Sequence, residues 1–231
     1  MTLQLASQDD LPSIVRLQLS SFETHPRFLC MWPRGLTPDL YAFQERLKRQ
    51  NHGTIFKAVD SDHKMRGFAE WAFPDQSTRA RVEEDEGRGA ISKPSAWEAP
   101  PDDWPQGGNF PLTRHYKQTW LEWKGEKYGG GDVIELVYLA VAPDAQRLGI
   151  GRKLLRSGLE EADRLELPVC LESTPAGLKL YADNGFVIDK TVEASSELLG
   201  REVREEEGIG KRFYMIRQPR NALEKMNENG S

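Results

Sequence analysis

Residues 133–152, VIELVYLAVAPDAQRLGIGR, constrain this chain more than any other stretch. The run over 132–141 is almost wholly apolar and rich in β-branched residues, which predicts a central strand covered on both faces. A Pro143-Asp144 turn stops it, and a Gln-x-x-Gly-x-Gly loop opens a helix over 151–165. Leu154, Leu155, Leu159, Ala162 and Leu165 fall on one face of that helix and are available to pack on a sheet. The junction also makes an anion cradle. The first N–H groups of a helix have no intrahelical partner and point outward, where the helix dipole favours negative charge. Gly149 and Gly151 let a ligand approach the backbone closely. A tight helix entry with nothing bound is the plainer alternative for two glycines so spaced.

The 231 residues suit one domain with insertions. Further strands are expected over 3–6, 54–59, 65–73, 168–172, 186–191 and 211–217, the second and third as an antiparallel hairpin. A first helix, capped by Ser7, runs to about Phe22, a second covers 37–50, and a short one covers 175–183. Residues 25–38, with three prolines, are expected to be a loop, and so is the acidic stretch 193–210. Residues 76–131 form a long insertion. Its charged first half is expected to be mobile, and the half bearing Trp97 and Trp104 to fold back on the body, with a helical pattern over 114–127. The fold class is therefore mixed α/β, a sheet with helices on its faces.

Bulk properties remove several function classes. A net charge of −5 argues against a general nucleic-acid binder and permits a cationic substrate. Cys30 and Cys170 make no disulfide framework, and no leader-like or membrane-spanning stretch is present, so a cytoplasmic protein, monomer or homodimer, is expected. His25, His52, His63 and His115 have no metal-ligand spacing, and no metal is expected.

With these elements in place, the chain resembles the GNAT superfamily of acetyl-CoA-dependent N-acetyltransferases. Residues 146–151, QRLGIG, fit that family's Q/R-x-x-G-x-G/A pyrophosphate loop after the long strand. Residues 180–186, LYADNGF, fit its L-Y-x-x-x-G-F signature, and the element order is the family's order. The resemblance implies a mostly antiparallel sheet with one splayed parallel strand pair and one acetyltransferase domain over 1–218, while the tail over 219–231 has little core-forming content and is expected to fray. It implies acetyl-CoA in the splay, held by the backbone of Leu139, Ala140 and Val141, by Arg147, Leu148, Gly149, Ile150, Gly151 and Arg152 around the pyrophosphate, and by Thr174. Arg147 and Arg152 are equally readable as solvated surface charges.

Acetyl transfer needs a neutral amine, donors for a developing oxyanion and an acid for the leaving thiolate. By resemblance, Tyr181 is the acid and the backbone N–H of Leu139 or Val141 the oxyanion donor. Glu135 stands alone in an apolar strand, where a charge is expensive unless it is paired or faces a cleft. Its place matches a general base in the histone-acetylating branch, with ordered water as the alternative route. Glu70, Trp71 and Glu172 are expected to contact the acceptor, and three carboxylates around one cleft would favour a cationic amine. A small-molecule amine is the expected acceptor. A protein or peptide amine, or a catalytically idle CoA-binding module, are the alternatives.

Overall fold

The sheet grows outward from the long apolar strand. The computed structural model describes residues 1–50, 53–74, 97–129, 131–202 and 208–220. Seven strands pair in the order β1 (Thr2–Leu5), β2 (Thr54–Val59), β3 (Met65–Ala72), β4 (Ile134–Val141), β5 (Val169–Ser173), β7 (Lys211–Arg217) and β6 (Val187–Glu193). β4 is thus central, and its pairing with β5 is parallel while the other pairings are antiparallel. β7 runs between β5 and β6, so the last strand in sequence is not the last in space.

The helices are α1 (Leu11–Phe22), α2 (Pro26–Met31), α3 (Pro38–Gln50), α4 (Phe110–Tyr128), α5 (Ile150–Arg164), α6 (Leu178–Ala182) and α7 (Ser196–Leu199). α2 replaces the loop expected from three prolines. Pro26 takes the first helical position, where no N–H is needed, and the His25 imidazole caps it by accepting the Arg27 N–H at 3.2 Å. α7 is likewise a turn of helix inside the stretch expected to be loop, capped by Ser195 and closed by left-handed Gly200. α4 begins earlier than its sequence pattern, because the Asn109 side chain accepts the Leu112 N–H. Trp97 and Trp104 do fold back: they join Trp32 and Phe43 in an aromatic cluster between α1, α2 and α3. The charged half of the insertion and the end of the tail lie outside the described residues.

One face of the sheet carries α5. Its Leu154 and Leu155 are fully buried, and Gly158 presses on Trp71, itself fully buried. A Cβ at position 158 would stand 2.1 Å from the Trp71 ring. Gly158→Ala is therefore expected to destabilise the fold by about 1–3 kcal/mol, the usual range for overpacking a core. A lower urea midpoint checks this, and an unchanged midpoint would show that the ring can move aside. The other face carries α1, α3 and α4, with Trp123 and Tyr214 packed on Cys170 under α4.

Candidate active site

The site forms where β4 and β5 part. They pair only at Ile134–Val169, Glu135–Cys170 and Leu136–Leu171. Opposite, β3 pairs Glu70 with Tyr138 and Trp71 with Leu136, so Val137 is an extra, unmatched residue. Such a bulge bends the strand and increases its twist. Past it, β4 keeps β3 as partner and loses β5, leaving residues 137–141 facing an opening in the sheet. A cavity of about 1350 Å³ is lined from both sides of that opening.

On the α5 side the cavity reaches the glycine loop, where Gln146, Arg147, Gly149, Ile150, Gly151 and Arg152 line it. Arg147 and Gly149 adopt left-handed backbone, φ +64° and +77°. Among the described residues the backbone N–H groups of 147–152 find no backbone acceptor, and the first paired one is Lys153 N–H on the Gly149 carbonyl at 3.0 Å. A Cβ at 149 would meet nothing within 4 Å, and one at 151 only ordinary contacts, with Leu180 and Val141 at 3.7 Å and Leu139 at 3.9 Å. Packing thus leaves both positions open, and what a side chain there would fill is the cradle itself. A phosphate-bearing ligand fits this loop.

Tyr181 lies on the same side, in α6. Its ring packs on Phe186 at 5.8 Å, and burial pushes its phenol well above the ordinary tyrosine range. The hydroxyl makes no hydrogen bond among the described residues and is not sealed off, so its proton is free for a ligand in the cavity. Thr174 lines the cavity beside it.

The opposite side is walled by α1, α2, α3 and α4. Here each expected carboxylate meets a cation. Glu70 pairs with Lys48, both buried. Glu135 accepts from Lys124 Nζ at 2.6 Å and Trp120 Nε1 at 3.1 Å. Glu172 pairs with Arg212. Tyr138 stands among them, its ring 4.5 Å from Lys48 Nζ and its hydroxyl raised by burial and by Glu70. Burial pushes Arg212 down to about 9, and its guanidinium lies 3.9 Å from the Tyr116 ring.

Residues 117–188, from within α4 to the start of β6, match the family model described as an Acetyltransferase (GNAT) domain. That stretch is similar to a GNAT acetyltransferase domain. The match contains the glycine loop, Tyr181 and both strands of the splay. Solved structures with the GNAT fold extend the likeness to most of the chain. One, described as histone acetyltransferase HPA2 and related acetyltransferase from Corynebacterium glutamicum, is 21% identical over 94% of this chain and 96% of its own, with a TM-score of 0.58. Arylalkylamine N-acetyltransferase 2 from Aedes aegypti is 15% identical over 94% and 98%, also at 0.58. Chaetomium thermophilum Naa20, solved with a bisubstrate analogue, is 13% identical over 97% and 90%, at 0.52. No curated protein matches by sequence.

Within this GNAT site most of the expected residues converge, and a few do not. Trp71 is not an acceptor contact: it points to the opposite face and is buried under α5. Strand alternation explains this, since Glu70 and Trp71 are neighbours and only one of them faces the cavity. The side chains of Ala140 and Leu148 also miss the cavity. Ala140 packs with Leu11 and Ile14 of α1, and Leu148 is 71% exposed, so each offers only backbone. The three carboxylates do not form an anionic cleft, because their partners neutralise them. None of the described residues of the 193–210 segment lines the cavity. The segment braces α4 instead, through Leu199, Ile209 and an Asn109 Nδ2 bond of 2.7 Å to the Leu198 carbonyl. Arg27, Lys48, Tyr116, Tyr138 and Arg212 went unmarked in the sequence. Arg212 carried a legible signal, a charge inside an apolar strand like Glu135. Arg27 carried none, since its helix was read as a loop.

Proposed function

We propose that the chain moves an acetyl group from acetyl-CoA to the primary amine of a small molecule, by direct transfer with both bound, and that residues 1–218 act as one domain. The observation that carries the reading is the cavity itself, which joins the unpaired N–H groups of 147–152 on one side of the sheet to a pocket walled by α2 and α4 on the other. In this reading the glycine loop, with Arg147 and Arg152, holds the pyrophosphate, and residues 139–141 offer backbone along the pantetheine arm. Acetyl-CoA supplies an activated acetyl group as a thioester. The amine nitrogen forms a bond to the acetyl carbon as the carbon–sulfur bond breaks, the thiolate takes a hydrogen bond and then a proton from the Tyr181 side, and the amine proton leaves toward Glu135 or ordered water.

α4 favours a small acceptor. Its Tyr116, Trp120 and Lys124 wall the cavity on this side, which leaves less room for a peptide than for a small amine. The idle-module alternative is disfavoured by the open hydroxyl of Tyr181. The test is thiol release from acetyl-CoA by the full chain against polyamines, aminoglycosides, amino acids and short peptides. We expect a small amine to give the fastest release. Release with peptides alone, or with none, would overturn the proposal. Glu135→Gln is expected to lower turnover, and undiminished turnover would place the base elsewhere.

A further inference from the structure

The charges on the acceptor side do not balance. Lys48, Lys124 and Arg212 are each taken by a carboxylate, and two cations that line the same side are left over among the described residues, Arg27 and Lys117. Lys117 rests over the Trp97 ring at 3.8 Å. Arg27 has no such seat. Its Nη1 is buried without a hydrogen-bond partner, and among the described residues no carboxylate pairs with its guanidinium. Arg212 repeats the defect, with a buried and unpartnered Nε. Both arginines line the cavity, and beside burial Arg27 adds to what holds Arg212 below the ordinary arginine range. His25 brings no compensating charge: its Nδ1 accepts from the Arg27 N–H, and burial and the two arginines lower its pKa.

Buried donors without partners are expensive, and two like charges in one low-dielectric pocket add to the expense. An anion in the cavity beside them offsets the unbalanced charge. The fork of N–H groups on a guanidinium matches a carboxylate, two bonds to two oxygens. We propose that the acceptor amine carries an anionic group, a carboxylate, bound by Arg27 and Arg212 on the α2 side of the cavity. This rests on the transfer reading above and names its substrate class as amino-acid-like. It reverses the expectation of a cationic acceptor, because the carboxylates that suggested one are already paired. It also assists the chemistry. Surplus positive charge near the amine disfavours its protonated form, and the neutral amine is the one that attacks.

The test is a calorimetric titration of the full chain saturated with CoA, which reads the acceptor pocket without requiring turnover. The probes are glycine, leucine and phenylalanine, each against its own amide, together with phenylethylamine and the phosphonate analogue of phenylalanine. We expect at least one amino acid to bind tenfold or more tighter than its amide, and the preference to vanish in Arg27→Met. Arg27→Lys, which keeps the charge without the fork, should keep part of it. A phosphonate that outbinds the carboxylate would assign the pocket to phosphate-bearing amines and overturn the carboxylate assignment. Equal binding of acid and amide, a preference that survives in Arg27→Met, or no binding by any probe would overturn the proposal. A preference observed without any acetylation would instead fault the transfer reading and leave the pocket as a carboxylate-binding site only.

Discussion

Replacing Gly149 by glutamate is expected to abolish acetyl-CoA binding while the protein stays folded. The backbone at this position has φ +77°, which an L side chain adopts at a cost of roughly 1–2 kcal/mol. The new side chain meets no protein atom within 4 Å of its Cβ, so it does not disrupt packing. It does place a carboxylate among the unpaired N–H groups of 147–152, where a pyrophosphate would sit. Two like charges about 4 Å apart at an effective dielectric of about 20 repel by about 4 kcal/mol, about a thousandfold in affinity. Calorimetry reads the loss, and a thermal melt guards against unfolding. Gly149→Ala separates the two contributions, since it carries the backbone strain without the charge. Unchanged acetyl-CoA affinity in Gly149→Glu would remove the cradle.

Tyr181→Phe is expected to cut turnover about a hundredfold, toward the lower end of what a positioned acid contributes, with acetyl-CoA affinity nearly unchanged. The hydroxyl has no protein partner among the described residues, so its loss orphans no other group. The ring contact with Phe186 survives the substitution. Melting temperature should therefore hold while the rate falls, a split that a merely structural tyrosine would not give. Because burial raises this phenol, it keeps its proton across the neutral range, which suits a donor to a developing thiolate. Undiminished turnover in the phenylalanine variant would assign leaving-group assistance to another donor.

How far the sequence reached can be argued from particular residues. The strand, loop and helix over 132–165 were legible because each element rested on a local rule: β-branched apolar residues, a Pro-Asp turn, glycines at a helix entry. Tyr181 was legible because its motif is contiguous. The acceptor side was not, because it is built from pairings between residues far apart in the chain. Nothing local links Lys48 to Glu70, or Arg212 to Glu172. Arg27, without a carboxylate among the described residues, stands out only once Lys48, Lys124 and Arg212 have found theirs. Trp71 was misplaced for a simpler reason. The hairpin was read without its register to β4, and only the register decides which of Glu70 and Trp71 faces the cavity. α2 was missed because three prolines were read as breakers, although Pro26 occupies the one helical position where proline is welcome.

The central claim is that acetyl-CoA lies in the opening between β4 and β5 with its pyrophosphate on the glycine loop. Amide hydrogen exchange of the full chain, with and without acetyl-CoA, tests this directly. Slowed exchange is expected at residues 147–152, whose N–H groups have no backbone acceptor among the described residues, and along 137–141 of β4. Acetyl-CoA that binds but protects other segments, leaving these two stretches unchanged, would contradict it.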